Sequence, residues 1–418
     1  MTIKRPKGAN DIMSDTIRQW HYIEEVVRNL MLVYNYEEIR TPIFEHTELF
    51  LRGVGDTTDI VDKEMYTFLD KGNRSITLRP EGTASVARVF VEHHIYANPL
   101  PAKYYYMGPM FRYSRPQAGR YRQFHQFGVE VLGSVDPNLD GEVIGLAMDF
   151  FKRLGIEDLT LLINSVGCPK CRPLHNEALK KYLEPRFKEL CPTCQNRYEK
   201  NPLRIFDCKS ETCQKIIKGA PTITECLCEE CKEHFEGVKS YLELLYIPYE
   251  LDEKMVRGLD YYTKTAFEIV VGGIGAQSSI GGGGRYDGLI QEIGGPDIPG
   301  IGFAIGLERV LLTLASQNVP LKSILKPKVF VALLDTELIP QGIELVAILR
   351  ENNIPASLDV MGRKFKAQFK YANKIGATHV ITVGEDEVRD ALYPLKNMDT
   401  GEEEKQTLLS IIEELKGE

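Results

Sequence analysis

All nine cysteines of this 418-residue chain lie between positions 168 and 231, as Cys168-x-x-Cys171, Cys191-x-x-Cys194, Cys208, Cys213, Cys226, Cys228 and Cys231. From Gly167 to about Tyr246 the sequence carries short helical patterns rich in Lys, Glu and Cys, while the stretches on either side read as strands. The segment is therefore expected to be a helical insertion into a β-rich domain. Paired Cys-x-x-Cys motifs at this separation fit a structural zinc site, and in a reducing compartment thiolates hold metal more readily than they form disulfides. Two readings stand side by side: structural Zn2+ at Cys168, Cys171, Cys191 and Cys194, and a set of free, partly buried thiols.

A chain of 418 residues is too long for one ordinary core, so two or three folding units are expected. No window approaches the ~18 uninterrupted apolar residues of a membrane helix. The basic start, Met1 to Gly8, runs into Asn10-Asp11 with no apolar stretch behind it. A cytoplasmic protein with no membrane partner is the expectation. The net charge of −8 argues against non-specific coating of nucleic acid. Two local basic runs contrast with it: Lys103, Arg112, Arg115, Arg120 and Arg122 within 103–128, and Arg363, Lys364, Lys366, Lys370 and Lys374 within 362–376. Either is a solvated face or a local nucleic-acid surface.

Apolar residues recur at helical spacing from Ser14 to Tyr34, with Ser14 as a cap. Strands are expected near Ile39 and from Tyr104 to Tyr113. Phe124 to Leu132 alternates, which puts Gln126 and Glu130 on one face. A strand from Phe267 to Val271 precedes the glycine-dense run 272–288, and Ile301 to Ala304 leads into a helix near Gly306. Pro320 to Pro327 reads as a linker. Beyond it Val329–Leu334, Ala356–Leu358 and Val380–Val383 read as strands. They alternate with helices at Ile339–Glu351, Lys364–Ile375 and Thr407–Leu415, the pattern of a small α/β domain with a mixed sheet.

Three segments could carry chemistry. Arg112, at the end of a strand, presents a rigid fork of donors suited to a carboxylate or phosphate; a surface hairpin is the alternative. Arg309 opens a helix after a Gly-flanked strand, where a phosphate could meet guanidinium and helix dipole together. Gly281 to Gly284 makes a poor strand interior unless a close backbone approach is needed, so a flexible loop is an equal reading. No Walker-type loop is present, which disfavours an ordinary P-loop NTPase.

Taken together these segments resemble class II aminoacyl-tRNA synthetases across nearly the whole chain. Tyr36 to Glu45 is similar to motif 1, Phe111-Arg112 with the loop to Gln126 to motif 2, and Gly302 to Arg309 to motif 3. Val256-Arg257-Gly258-Leu259-Asp260-Tyr261-Tyr262-Thr263, with 281–287 and 119–126, points within that class to the histidine-specific family. The resemblance implies an α+β fold: a class II antiparallel sheet with flanking helices, the helical Cys-rich insertion at 167–246 within a catalytic domain at 1–324, and an α/β anticodon-binding domain at 326–418.

It also implies a histidine–tRNA ligase activity using ATP and Mg2+, with L-histidine and tRNA(His) as partners and a homodimer formed through motif 1. Arg112, Arg257 and Arg309 would serve the phosphate chemistry, and Arg112 and Arg257 would also belong to the histidine-binding set. Glu81, Gly82 and Thr83 would receive the substrate's amino group, Gln126 its polar end, and Glu130 with Tyr261 and Tyr262 its imidazole. Imidazole offers one donor and one acceptor, so a carboxylate and a phenol can satisfy both nitrogens. Arg115, Gln117 and Arg120 would meet the acceptor end of tRNA, and Arg363 and Lys364 its anticodon stem-loop. Ser114 stands where the family often has Glu, leaving the adenine amino group to a main-chain carbonyl. The competing implication is the catalytically silent, histidine-sensing regulatory paralogue of ATP phosphoribosyltransferase. That protein is expected to lack the anticodon domain and the paired arginines.

Overall fold

The computed structural model describes residues 2–13, 15–55, 58, 60–256, 261–272, 279–320 and 328–417. Two compact units emerge, Met1–Leu321 and Lys322–Glu418. The first is built on an eight-stranded sheet in the order Glu37–Glu38, Ala102–Phe111, Gln123–Leu132, Gly300–Gly306, Ser279–Arg285, Thr263–Val271, Leu159–Ser165, Glu250–Leu251. Its inner neighbours are antiparallel, and only the two outermost short strands pair in parallel. This is the antiparallel sheet with flanking helices that the resemblance implied.

Alternation along Gln123–Leu132 sorts its two faces. Phe127, Val129 and Val131 are fully buried and pack with Phe150, Ile301 and Phe303 in the main core. Each contributes on the order of 1.5–3 kcal/mol through burial. The helix Asp15–Tyr34 supplies Trp20, Ile23, Val27, Leu30 and Met31 to the same core, following its 3.6-residue period; its expected cap, Ser14, lies outside the described residues. The helix Pro137–Arg153 adds Val143, Ile144, Ala147 and Phe150. Asp136 caps it by accepting from the Asn138 amide at 2.8 Å, and Pro137 occupies the first turn, where no amide donor is needed.

Within the insertion, Cys171–Leu183, Pro192–Lys200, Glu211–Ile217 and Glu229–Leu244 are helical, joined by connections that carry the short 3-10 segments Glu184–Glu189, Pro202–Ile205 and Ile223–Cys226. Its own core is thin: Leu179, Leu183, Ile205, Phe206, Ile216 and Ile217 pack around Cys194, Cys208 and Cys213.

The second unit carries a five-stranded sheet in the order Ala356–Leu358, Val329–Leu333, His379–Val383, Tyr393–Asn397, Glu403–Gln406. The first three are parallel and the last two pair antiparallel. Helices run Ile339–Glu351, Phe365–Lys374 and Leu408–Gly417, within two residues of the sequence expectation. The closing hairpin was not anticipated. Its outer strand, Glu403-Glu404-Lys405-Gln406, has no buried residue and therefore no apolar alternation to read.

Candidate active site

The floor of the site is set by strand register. Gln126, Gly128 and Glu130 share one face; across one ladder they meet Gly306, Ala304 and Gly302, and across the other Gly108, Tyr106 and Tyr104. The small residues leave room for the large polar ones. A Cβ on Gly302 would fall 2.1 Å from Oε2 of Glu130, and one on Gly128 or Gly82 would fall 2.2 Å from the Tyr106 ring. The run Gly281–Gly284 is strand interior, not a loop, and is buried between Thr263–Val271 and Gly300–Gly306. Close packing is the reason, since a Cβ on Gly283 would meet the Gly302 carbonyl at 2.0 Å.

Above this floor lies a cleft of about 540 Å³. Glu81, Thr83, Arg112, Gln126, Tyr261, Tyr262 and Arg309 all line it, so residues from distant parts of the chain converge there. Glu130 sits just beneath, 1% exposed. Its Oε1 accepts from Thr83 Oγ1 at 2.6 Å and from the Tyr106 hydroxyl at 3.3 Å, while Oε2 accepts from the Tyr286 hydroxyl at 2.5 Å. Burial pushes its carboxyl up to about 8 against the lowering effect of these donors. Glu81 caps the helix Thr83–Glu92, accepting from the Thr83 amide at 2.7 Å and the Ala84 amide at 3.0 Å. Burial raises its carboxyl too. The Oε1 of Gln126 is buried with no partner among the described residues, an acceptor held ready at the cleft wall.

Arg112 donates Nε to the Pro80 carbonyl at 2.8 Å and lies over the Phe124 ring, leaving the rest of its fork toward the cleft. Burial lowers its basicity without threatening its charge. Arg309, in the first turn of Leu307–Ser316, donates to the Gly119 carbonyl at 3.3 Å and to the Ser279 carbonyl, bracing the motif 2 loop against the glycine strand. The neighbouring Glu308 accepts from the amide and ring Nδ1 of His125. Arg257 lies outside the described residues.

The loop between the two long strands is pinched by reciprocal backbone bonds between Gln117 and Arg120. Arg115 and Gln117 are exposed, whereas Arg120 is paired with Glu64 at 2.6 Å. Ser114 lines the cleft, its hydroxyl buried and without a partner among the described residues. In the second unit Arg363 is tied to Asp359 at 2.5 Å and lies over the Tyr371 ring, which turns it inward, while Lys364 remains exposed.

The cysteine grouping differs from the expected one. Cys168 and Cys171 converge with Cys228 and Cys231, and Cys191 and Cys194 converge with Cys208 and Cys213; Cys226 stands apart. Sequential closeness of the first two motifs had suggested one set of four, but the chain folds each onto a different later pair. Sequence reasoning also missed Tyr106 and Tyr286, which hold Glu130, and the buried pair Asp140–Arg285, joined by His234. Tyr286 stands two residues past the glycine run, and its alternation with Gly284 was the available signal.

Comparison with known proteins gives a coherent result. The family described as histidyl-tRNA synthetase matches residues 8–170 and 211–310, and that described as anticodon binding domain matches 328–418. A histidine–tRNA ligase of Moorella thermoacetica is 56% identical over 99% of this chain and 98% of its own length. That of Clostridioides difficile is 50% identical over 100% and 99%. A crystal structure of apo histidyl-tRNA synthetase from S. aureus superposes with a TM-score of 0.85 at 43% identity, covering 99% of this chain and 100% of that one. A Bacillus halodurans structure described as an ATP phosphoribosyltransferase regulatory subunit/histidyl-tRNA synthetase covers 91% of this chain and 98% of its own with a TM-score of 0.62, but at 21% identity it shares the fold alone.

Proposed function

Since the chain belongs to the histidyl-tRNA synthetase family and is an ATP-dependent histidine–tRNA ligase, we propose the following division of labour in its cleft. The acceptors Glu81 and Gln126, with Thr83 on the adjacent helix turn beside Gly82, hold the α-amino end of L-histidine. Glu130 takes one ring nitrogen, and Tyr261 and Tyr262 close the pocket around the imidazole. A competing amino acid without that ring leaves the remaining acceptor position of Glu130 unfilled, at a cost of ~1–3 kcal/mol for a buried group.

In the first step an oxygen of the histidine carboxylate attacks the α-phosphorus of ATP. The bond to the bridging oxygen of the β-phosphate breaks, and pyrophosphate leaves. Arg112, together with Arg257 as the family resemblance implies, meets the developing charge on the α-phosphate, and Arg309 holds the phosphate tail. Glu268 and Glu308 line the cleft and would offer oxygen donors to a Mg2+ ion bound with ATP, which would supply charge neutralisation at the phosphate oxygens. In the second step a hydroxyl of the terminal adenosine of tRNA(His) attacks the adenylate carbonyl, and AMP leaves. Arg115, Gln117 and Arg120 in the motif 2 loop guide the acceptor end. Ser114, with its unpartnered hydroxyl, stands in the wall where adenine would lie.

Residues 1–324, with the insertion at 167–246, form the catalytic domain in this reading, and 326–418 bind the anticodon stem-loop through Arg363, Lys364 and the lysines that follow. The active species is a homodimer whose interface covers Ile43 and Phe44, 44% and 58% exposed in the single chain. The location is cytoplasmic; among the described residues no helix is long and apolar enough to cross a membrane.

The single observation that carries the residue assignment is the convergence of Gln126 and Arg112 on one cleft with Glu130 buried beneath it. Its test is ATP–pyrophosphate exchange. Exchange should depend on histidine, and Arg257→Ala should abolish it while histidine binding survives. Exchange that ignores histidine would overturn the assignment, and a folded protein with no exchange at all would favour the histidine-sensing regulatory role.

A further inference from the structure

Eight of the nine cysteines form two four-sulfur clusters in which every ligand atom lies within 4.8 Å of the others. The closest sulfurs are 3.6 Å apart for Cys168 and Cys171, and 3.8 Å for both Cys168–Cys228 and Cys191–Cys208. A tetrahedral ion with Zn–S bonds of ~2.3 Å sets neighbouring sulfurs ~3.8 Å apart. Disulfide sulfurs, by contrast, stand ~2.05 Å apart. Free thiols in a core have no reason to gather in fours.

Helix ends reinforce the pattern. Cys171 opens one helix, and Cys228 and Cys191 each stand at the N-cap position of another. Partial positive charge at these N-termini favours thiolate. Backbone amides already point at sulfur: Cys228 N to Cys171 Sγ at 3.2 Å, Cys191 N to Cys213 Sγ at 3.3 Å, and Ser210 N to Cys208 Sγ at 3.4 Å. Helices of seven and nine residues in this insertion are too short to persist alone, and its thin core includes the cysteines themselves.

We propose that the insertion is organised by two structural tetrathiolate zinc centres, one at Cys168, Cys171, Cys228 and Cys231 and one at Cys191, Cys194, Cys208 and Cys213. The first centre also anchors the histidine-reading segment. Arg172, next to Cys171, donates to the Tyr262 carbonyl, and Glu230, next to Cys231, accepts from Lys264 Nζ at 3.0 Å. Backbone bonds tie the same strands together, Val166 N to Lys264 O at 2.7 Å and Lys264 N to Gly167 O at 2.9 Å. Loss of that ion loosens the wall that carries Tyr261 and Tyr262. This consequence rests on the proposed histidine pocket, whereas the metal sites do not.

Metal content of the purified full-length protein decides the matter without reference to activity. Elemental analysis should give about two zinc ions per chain, one per cluster. Cys231→Ser and Cys213→Ser should each retain about one, and Cys226→Ser, outside both clusters, should retain both. Should the cluster variants misfold, cobalt exchanged into the unaltered protein should show the intense visible bands of tetrahedral thiolate ligation, with charge transfer matching four sulfurs per ion. Metal-free folded protein with nine titratable thiols, mapped disulfides, or iron in place of zinc would each overturn the proposal. If the first centre anchors the pocket, Cys231→Ser should raise KM for histidine several-fold with a smaller change in kcat, and Cys213→Ser should not. Equal effects of the two would refute the anchoring role and leave the metal count untouched.

Discussion

The Tyr286 hydroxyl donates to Oε2 of Glu130 at 2.5 Å, across 156 positions of sequence, and this bond orients a carboxyl buried beneath the cleft. Glu130 is held from the other side by Thr83 and Tyr106, so its carboxyl plane is fixed before substrate arrives. Pre-positioning of this kind makes the contact selective.

Glu130→Gln preserves shape and removes the ionisable group. KM for histidine should rise about 5- to 100-fold, the cost of leaving a buried polar group mispaired being ~1–3 kcal/mol, with a smaller change in kcat. The pH dependence of stability should change as well. Burial raises this carboxyl to about 8 in the folded protein, so its stabilising contribution is complete below the ordinary carboxylate pKa and is lost as pH rises through about 8. Melting of the free protein at pH 6 and pH 9 measures this, and the Gln variant should lose less between the two. An equal loss in both proteins would refute the assignment.

Tyr286→Phe removes one donor and leaves the ring in its packing against Tyr261. The bond it loses lowers the Glu130 carboxyl, so that group should titrate at still higher pH in the variant. KM for histidine should rise several-fold, in keeping with ~1 kcal/mol, and the pH profile of KM should move toward alkaline values. An unchanged profile would mean the two groups are not coupled.

Arg112→Ala should lower histidine-dependent pyrophosphate exchange by about 10²- to 10³-fold while histidine binding, followed by calorimetry, stays within a few-fold. Arg112→Lys should recover little, because a single ammonium cannot bond to the Pro80 carbonyl and span a phosphate at once. Full recovery with Lys would argue for charge alone.

Asp140 and Arg285 are both fully buried, and Arg285 also reaches the Ser134 carbonyl and Asp287. Removing one partner strands the other charge. Asp140→Ala should cost about 3–5 kcal/mol in chemical denaturation, and the Asp140→Ala/Arg285→Met pair should recover part of it. Simple additivity of the two would show that no coupling exists.

On the helix Phe365–Lys374, Lys366, Lys370 and Lys374 are exposed. Changing all three to Gln should raise KM for tRNA and flatten its dependence on salt by roughly 0.7 of a logarithmic unit per lost phosphate contact, while pyrophosphate exchange is unaltered. A tRNA affinity insensitive to these changes would move the anticodon contacts elsewhere in the unit.

The sequence alone determined much of this protein. Motif order, the helical character of 167–246, the same-face placement of Gln126 and Glu130, and the α/β alternation after Val329 are local properties, written in periods of 2 and 3.6 residues. Tertiary structure decided what local periodicity cannot carry. Four glycines in a row became a buried strand because two neighbouring strands press against it. Glu130 found Tyr286, and Cys171 found Cys228, through contacts 156 and 57 positions apart. The chain pairs such groups only when a whole sheet and its insertion assemble, so the choice among equivalent tyrosines and cysteines belongs to the fold.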